Sequence, residues 1–242
     1  MCRHLAYWGP SVPIATLALD APRALVRQCT EAREMAWGTE NLDGWGCAWQ
    51  SPPGGVQRRR SARPLDKDGT GQRLLRDTSA ERFIVSVRQK TPGSATGAMN
   101  SAPFSDAFAT CFSHNGYITD FRNGVREELL AKVSPRRADA IQGDTDSEVL
   151  FALVGGRLDD GASPAEAVRA VADVGELYGG RYNVLLWAND TIIATRWENS
   201  LYVRDADAAV VTSEPLDDGL WREVPERTMV IVTDAGVRQE DL

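Results

Sequence analysis

Strand-like segments open and close this chain, and its helix-forming segments lie together between them. The early strand-like runs are Gly44–Gln50, Val56–Ala62, Arg82–Arg88 and Ala107–Phe112. Helical segments follow at Val125–Val133, through Val149–Val154, and from Pro164 to about Val174. Strands then return as Tyr182–Ala188, Thr191–Trp197, Leu201–Arg204, Ala209–Thr212 and Met229–Thr233, with Asn189-Asp190 as a tight turn between the first two. A doubly wound fold would alternate strand and helix along its length. This order predicts instead an α+β fold with antiparallel sheets and segregated helices. The chain shows no internal repeat and no long linker, so its 242 residues read as a single domain, 1–242.

Local chemistry sharpens the outline. Thr145-Asp146-Ser147-Glu148 has the spacing of a capping box ahead of an apolar run. Ser51-Pro52-Pro53-Gly54-Gly55 reads as the turn of a hairpin, and Thr91–Asn100, rich in Gly, Ser, Thr and Pro, as a loop. Arg58-Arg59-Arg60 falls in the strand after the hairpin turn, where charge suits a solvated edge.

Composition excludes several classes of function. The net charge of −7 opposes binding to a nucleic-acid backbone. No apolar run approaches the ~18 residues of a membrane span, and the first residues lack the layout of a secretory signal. Cys2, Cys29, Cys47 and Cys111 are widely spaced, and there are only two histidines, so neither a metal nor a cofactor is expected. Free thiols point to a reducing cytoplasm.

Cys2 gives the strongest chemical lead. A Met before so small a residue is ordinarily removed, which would leave Cys2 with both a thiol and a free α-amine. An α-amine titrates near ~7.7–8.0, close enough to neutrality to take a thiol proton. A side-chain nucleophile activated by its own terminal amine is an established device in covalent catalysis.

Further segments accompany Cys2: Asp43-Gly44-Trp45-Gly46, Arg88-Gln89-Lys90-Thr91-Pro92-Gly93, Asn100-Ser101-Ala102-Pro103-Phe104, Phe112-Ser113-His114-Asn115-Gly116 and Ser213-Glu214-Pro215-Leu216-Asp217-Asp218. With the start Met1-Cys2-Arg3-His4-Leu5-Ala6, their order and spacing resemble the N-terminal-nucleophile hydrolases, specifically the class II glutamine amidotransferase domain. The resemblance runs from Cys2 to about Trp221 and is most specific for the stand-alone amidohydrolases of ergothioneine biosynthesis. It implies a four-layer αββα sandwich. It also implies Cys2 as nucleophile, with the Asn115 side chain and the Gly116 backbone N–H as oxyanion donors. Arg88 would hold the α-carboxylate of a γ-glutamyl substrate and Asp146 its α-ammonium, with Thr91 also on the substrate. Planar two-pronged recognition of a carboxylate suits Arg. Read without the resemblance, Asn115-Gly116 is equally a hairpin turn and Asp146 a first-turn acid on a helix dipole.

Other residues carry two readings. Trp45 either walls the site or fills the core. Glu214, Trp221 and the Asp217-Asp218 pair are candidates for the far end of the substrate, where an acid or an aromatic face would suit a quaternary ammonium. Lys90 stands where relatives carry a small residue. It points the same way as Arg88 in an extended segment and is either a second substrate-binding cation or a solvated lysine. His4 and His114 read as structural or as supports just behind the site, since the Cys2 amine supplies the base.

The implied reaction is hydrolysis of a γ-glutamyl amide, with γ-glutamyl-hercynylcysteine sulfoxide as the implied small-molecule substrate. The alternative is a glutaminase subunit that feeds ammonia to a separate synthase. Nothing in the residues sets the oligomeric state.

Overall fold

A computed structural model describes residues 2–36, 38–51, 55–106 and 110–242. Met1, residues 52–54 of the expected hairpin turn and residues 107–109 of the expected strand lie outside the described residues. The strands are β1 (Arg3–Pro13), β2 (Trp45–Ser51), β3 (Gly55–Ser61), β4 (Ser79–Val87), β5 (Phe104–Ser105), β6 (Cys111–Ile118) and β7 (Gly180–Ala188). They continue as β8 (Thr191–Arg196), β9 (Tyr202–Asp205), β10 (Ala209–Thr212), β11 (Arg222–Glu223), β12 (Thr228–Thr233) and β13 (Gly236–Asp241). The helices are α1 (Ala15–Ala18), α2 (Gly69–Asp77), α3 (Arg126–Leu130), α4 (Pro135–Asp139), α5 (Asp146–Asp159) and α6 (Pro164–Tyr178).

Two antiparallel sheets result. A seven-stranded sheet has the order β11-β9-β10-β1-β4-β2-β3, and a six-stranded sheet the order β13-β12-β8-β7-β6-β5. Each is apolar on both faces, so each must be covered twice. In β1, Leu5 and Tyr7 face outward into a core with Leu17 and Leu75 from α1 and α2, and Ala6 and Trp8 face inward. In β7, Leu185 and Trp187 meet that inward face, while Val184 and Leu186 turn to Leu150, Val154 and Val171 of α5 and α6. Strand alternation thus generates three cores between four layers, the expected αββα sandwich.

Some local expectations change. Thr145 caps α5 by accepting from the Glu148 N–H, but the Glu148 carboxylate does not return to Thr145. It accepts from the backbone N–H groups of Gln142 and Gly143 instead, bracing the segment before the helix. The reciprocal capping box occurs at α6, between Ser163 and Glu166. The helix expected over Val125–Val133 shortens to α3, preceded by a wider helical turn at Phe121–Val125 that breaks at Gly124, where φ is 108°. β3 does form a sheet edge, as the arginine run requires.

The site depends on β1, which sequence patterning did not reveal. Its Leu-Ala-Tyr-Trp run is buried on both faces and shows no polar alternation. β1 lies between β10 and β4, and its Arg3 pairs with Val87, the last residue of β4. Cys2 and Arg88 therefore emerge side by side at one end of the first sheet. β6 of the second sheet brings Asn115 and Gly116.

Candidate active site

Cys2 is half-buried, its Sγ 3.8 Å from the Gln89 carbonyl oxygen. Cys29, Cys47 and Cys111 are fully buried. Burial pushes the Cys29 thiol up to about 11 and Cys111 to about 12, and raises Cys47 as well. Thiolate is the reactive form of cysteine, so these three are inert and Cys2 is the accessible thiol.

A cavity of about 300 Å³ opens beside it and is lined by Cys2, Arg88, Lys90, Thr91, Gly116 and Asp146. Arg88 is only 4% exposed, yet it donates to neutral oxygens alone. Its partners are Ser94 Oγ at 3.3 Å, the Ala95 carbonyl at 3.3 Å and the Asp43 carbonyl at 3.5 Å. Among the described residues no carboxylate lies within ion-pair distance of it. A buried guanidinium without a counter-charge is costly, and an incoming carboxylate would relieve that cost.

Asp146 complements it in the same cavity. One carboxylate oxygen accepts from the Ile118 N–H at 2.9 Å and the other from the Ser147 N–H at 2.7 Å. No cation among the described residues pairs with it. Ser147 Oγ is 3.0 Å from His114 Nδ1, and His114 Nε2 is 2.8 Å from the Arg181 carbonyl. A carbonyl only accepts, so Nε2 carries the proton; the Ser147 hydroxyl lies within reach of both His114 Nδ1 and, at 3.2 Å, the Asp146 carboxylate. Burial lowers the His114 pKa against the opposing influence of Asp146 and the Arg181 carbonyl, which fits a neutral ring. His4 is fully buried beside Ser113, its pKa driven far down by burial and then by Arg3.

The loop over the cavity is tied at its base. Ser94 Oγ donates to the Thr91 carbonyl at 2.8 Å. Asp144 accepts from the Ala95 N–H at 3.1 Å and pairs with Arg122 at 2.9 Å. Burial alone would raise the Asp144 pKa, but Arg122 and the surrounding N–H donors outweigh it and hold the carboxyl below its usual range. Asp43 accepts from the Lys90 N–H at 2.9 Å, so it fixes the start of the loop. The Lys90 side chain has no described carboxylate within ion-pair distance.

Asn115 and Gly116 lie inside β6, opposite Asn183 and Tyr182 of β7, which corrects the hairpin-turn reading. Asn115 is fully buried and donates one amide hydrogen to Ser213 Oγ at 3.4 Å, and the second has no partner among the described residues. Gly116 is required by space: a Cβ there would overlap the Arg181 carbonyl oxygen and stand 2.5 Å from His114 Nε2. Gly44 is required by both conformation and space, with φ at 129° and a Cβ position 2.6 Å from the Ser61 carbonyl.

Three expected site residues do not line the cavity: Asn115, which is fully buried in β6 next to the lining residue Gly116, and Trp45 and Glu214. Trp45 is 0% exposed, donates to Asp68 at 3.0 Å and packs on Gly71, so it belongs to the outer core. Glu214 is 4% exposed and pairs with Arg3 at 3.3 Å, behind Cys2 rather than before it. The far-end candidates are also engaged elsewhere. Asp217 pairs with Arg204, whose guanidinium lies 4.2 Å over the Trp221 ring, and Asp218 pairs with Arg23. Burial would raise the Asp217 carboxyl, but Arg204 and the Trp221 and Gly219 N–H groups bring it to about 2. The sequence carries no local signal for the roles of Arg3, Asn100, Arg122 and Asp144, because their partners are remote in sequence. Among the described residues no acid, His and Cys cluster could hold a metal, and no helix is long and apolar enough to cross a membrane.

Residues 18–204 match the family model for class II glutamine amidotransferases. The γ-glutamyl-hercynylcysteine sulfoxide hydrolase of Mycolicibacterium smegmatis is 32% identical over 98% of this chain and 98% of its own. A glutamine aminotransferase class-II domain protein from Silicibacter pomeroyi superposes with a TM-score of 0.72 at 21% identity, over 99% of both chains. The glutamine phosphoribosylpyrophosphate amidotransferase of Bacillus subtilis superposes with a TM-score of 0.70 at 19% identity, over 99% of this chain and 49% of its own.

Proposed function

This chain belongs to the class II glutamine amidotransferases, and on that premise we propose that it hydrolyses a γ-glutamyl amide through Cys2. One observation carries the reading. Arg88 and Asp146, of opposite charge and each without an ionic partner among the described residues, line the cavity that Cys2 opens into. A glutamyl head carries an α-carboxylate and an α-ammonium, one for each. Thr91 lines the same wall and completes the carboxylate side.

Removal of Met1 frees the Cys2 amine, which takes the thiol proton. The thiolate attacks the γ-carbonyl carbon, a C–S bond forms, and the carbonyl π pair moves onto oxygen. The second Asn115 amide hydrogen and the Gly116 N–H stabilise that oxyanion. As the oxyanion collapses, the C–N bond breaks and the Cys2 ammonium protonates the leaving nitrogen. Water then adds to the γ-glutamyl thioester, its proton passing through the amine to sulfur, and glutamate departs. No step calls on a metal or cofactor.

The substrate we assign is γ-glutamyl-hercynylcysteine sulfoxide, supported by the M. smegmatis relative, which matches over nearly the whole of both chains. We take residues 1–242 as one domain, because β1 is hydrogen-bonded to β10 in a single sheet. We place the reaction in the cytoplasm, consistent with four unpaired cysteines.

The test is glutamate release by the purified protein, comparing the hercynylcysteine sulfoxide conjugate with free glutamine. A preference for the conjugate of about 10²-fold or more in kcat/KM is expected. Preference for glutamine, or activity only with a partner protein, would replace this reading with that of an ammonia-supplying subunit.

A further inference from the structure

Arg3 is a fully buried cation one residue from the nucleophile, and the mechanism above leaves it without a task. Its side chain turns back on its own chain. Nε donates to the Cys2 carbonyl at 2.9 Å, and Nη1 reaches Ser200 Oγ at 3.1 Å and Glu214 at 3.3 Å. Glu214 is itself held, accepting from the Arg33 N–H at 2.9 Å and the Glu34 N–H at 3.1 Å. The carbonyl of Cys2 is therefore anchored through Arg3 and Glu214 to the backbone of residues 33 and 34.

We propose that the Arg3–Glu214 pair is a positioning device that fixes the terminal residue so that the Cys2 thiol addresses the cavity. This rests on the γ-glutamyl hydrolase reading and adds two positioning residues to it. An N-terminal nucleophile has a chain on one side only. Once Met1 is gone, nothing upstream restrains Cys2, and terminal residues fray unless tied down. Ordinary β pairing begins at Arg3. The Arg3 Nε–H is the described donor to the Cys2 carbonyl, so losing it frees the residue that must hold thiol and amine in register. Lysine cannot replace it, because one ammonium on a flexible stem does not supply a rigid fork to two acceptors. Glu214 supplies the counter-charge that makes a buried guanidinium tolerable there.

The test uses the full chain with Met1 removal confirmed by intact mass. Arg3→Lys keeps the charge, and the double variant Arg3→Met with Glu214→Gln removes both buried charges together. Two readouts are taken: iodoacetamide alkylation of Cys2, and kcat and KM for the γ-glutamyl substrate. Cys2 is half-buried and the other three thiols are fully buried, so alkylation reports on Cys2 alone. In both variants we expect alkylation to quicken by about threefold or more, kcat to fall by about tenfold or more, and KM to stay within about threefold. A purely structural role would move KM and melting temperature together and expose the buried thiols. Unchanged alkylation and kcat in a folded Arg3→Lys protein would overturn the proposal. The alkylation arm needs no substrate, so it decides the matter even if wild-type protein releases no glutamate, a result that would sink the function reading separately.

Discussion

Asn100 and Asp144 are bonded to each other twice. The Asn100 amide donates to the Asp144 carboxylate at 2.9 Å, and the Asp144 N–H donates to the Asn100 side-chain oxygen at 3.1 Å. This pair joins the two ends of the cavity wall, the loop that carries Thr91 and the turn that delivers Asp146. Asp144→Ala removes the acceptor shared by Asn100, Ala95 and Arg122. Hydrogen bonds to charged groups contribute about 1.5–3 kcal/mol each, though surface exposure reduces the share of Arg122. The expected outcome is a KM raised about tenfold, with faster amide hydrogen exchange confined to residues 91–97. Uniform exchange along the chain would show that Asp144 acts on the fold as a whole.

The two charges of the cavity make separable predictions. Arg88→Lys keeps the charge but loses the fork, and kcat/KM for a γ-glutamyl amide should fall roughly 10- to 100-fold. Asp146→Asn should lower kcat/KM for the free γ-glutamyl substrate while leaving its N-acetylated analogue almost unaffected, since that analogue has no ammonium to lose. Equal losses on both substrates would remove Asp146 from the ammonium site.

Gly116→Ala places a methyl group against the Arg181 carbonyl and the His114 ring. Both are backed by the β6–β7 ladder and cannot yield cheaply. Overpacking of this kind costs about 1–3 kcal/mol, read as a lowered melting temperature together with loss of activity. An alanine variant with wild-type stability would mean that the second sheet is looser here than its pairing indicates.

Acid sensitivity should begin near neutrality. The chain has two histidines, and burial lowers the proton affinity of both. In the unfolded chain each titrates near the ordinary 6.5. Below that value the unfolded state binds the extra protons, so stability declines as pH falls through 6.5 toward the lower folded-state values. Melting temperatures between about pH 7.5 and about pH 5.5 should show this slope, and His4→Asn should flatten it. A flat wild-type profile would contradict buried neutral rings.

The sequence disclosed the parts of the site whose signals are local. Cys2, Arg88, Thr91, Gly116 and Asp146 sit in short motifs, and all five line one cavity. Trp45 shows why motif membership is not placement. Its Asp-Gly-Trp-Gly setting reads identically for a wall and for a core, and only Gly71 of α2 and its N-cap Asp68 decide for the core. By sequence Glu214 suits a substrate ammonium, as a carboxylate does, yet its partner lies 211 residues away at Arg3. β1 escaped notice for a related reason. A strand buried on both faces has no polar beat to detect.

The arrangement of β1 also bears on how the molecule comes into being. The His4 N–H donates to Ser213 Oγ across 209 residues, and Glu214 closes on Arg3 immediately beyond. A ribosome delivers Cys2 long before the strand that must flank it. Until then Arg3 has no Glu214 to pair with behind the thiol, and the Asn115 side chain has no Ser213 to anchor it. The nascent chain thus carries its most accessible thiol unsupported, and the support arrives only when Ser213 and Glu214 fold back upon His4 and Arg3.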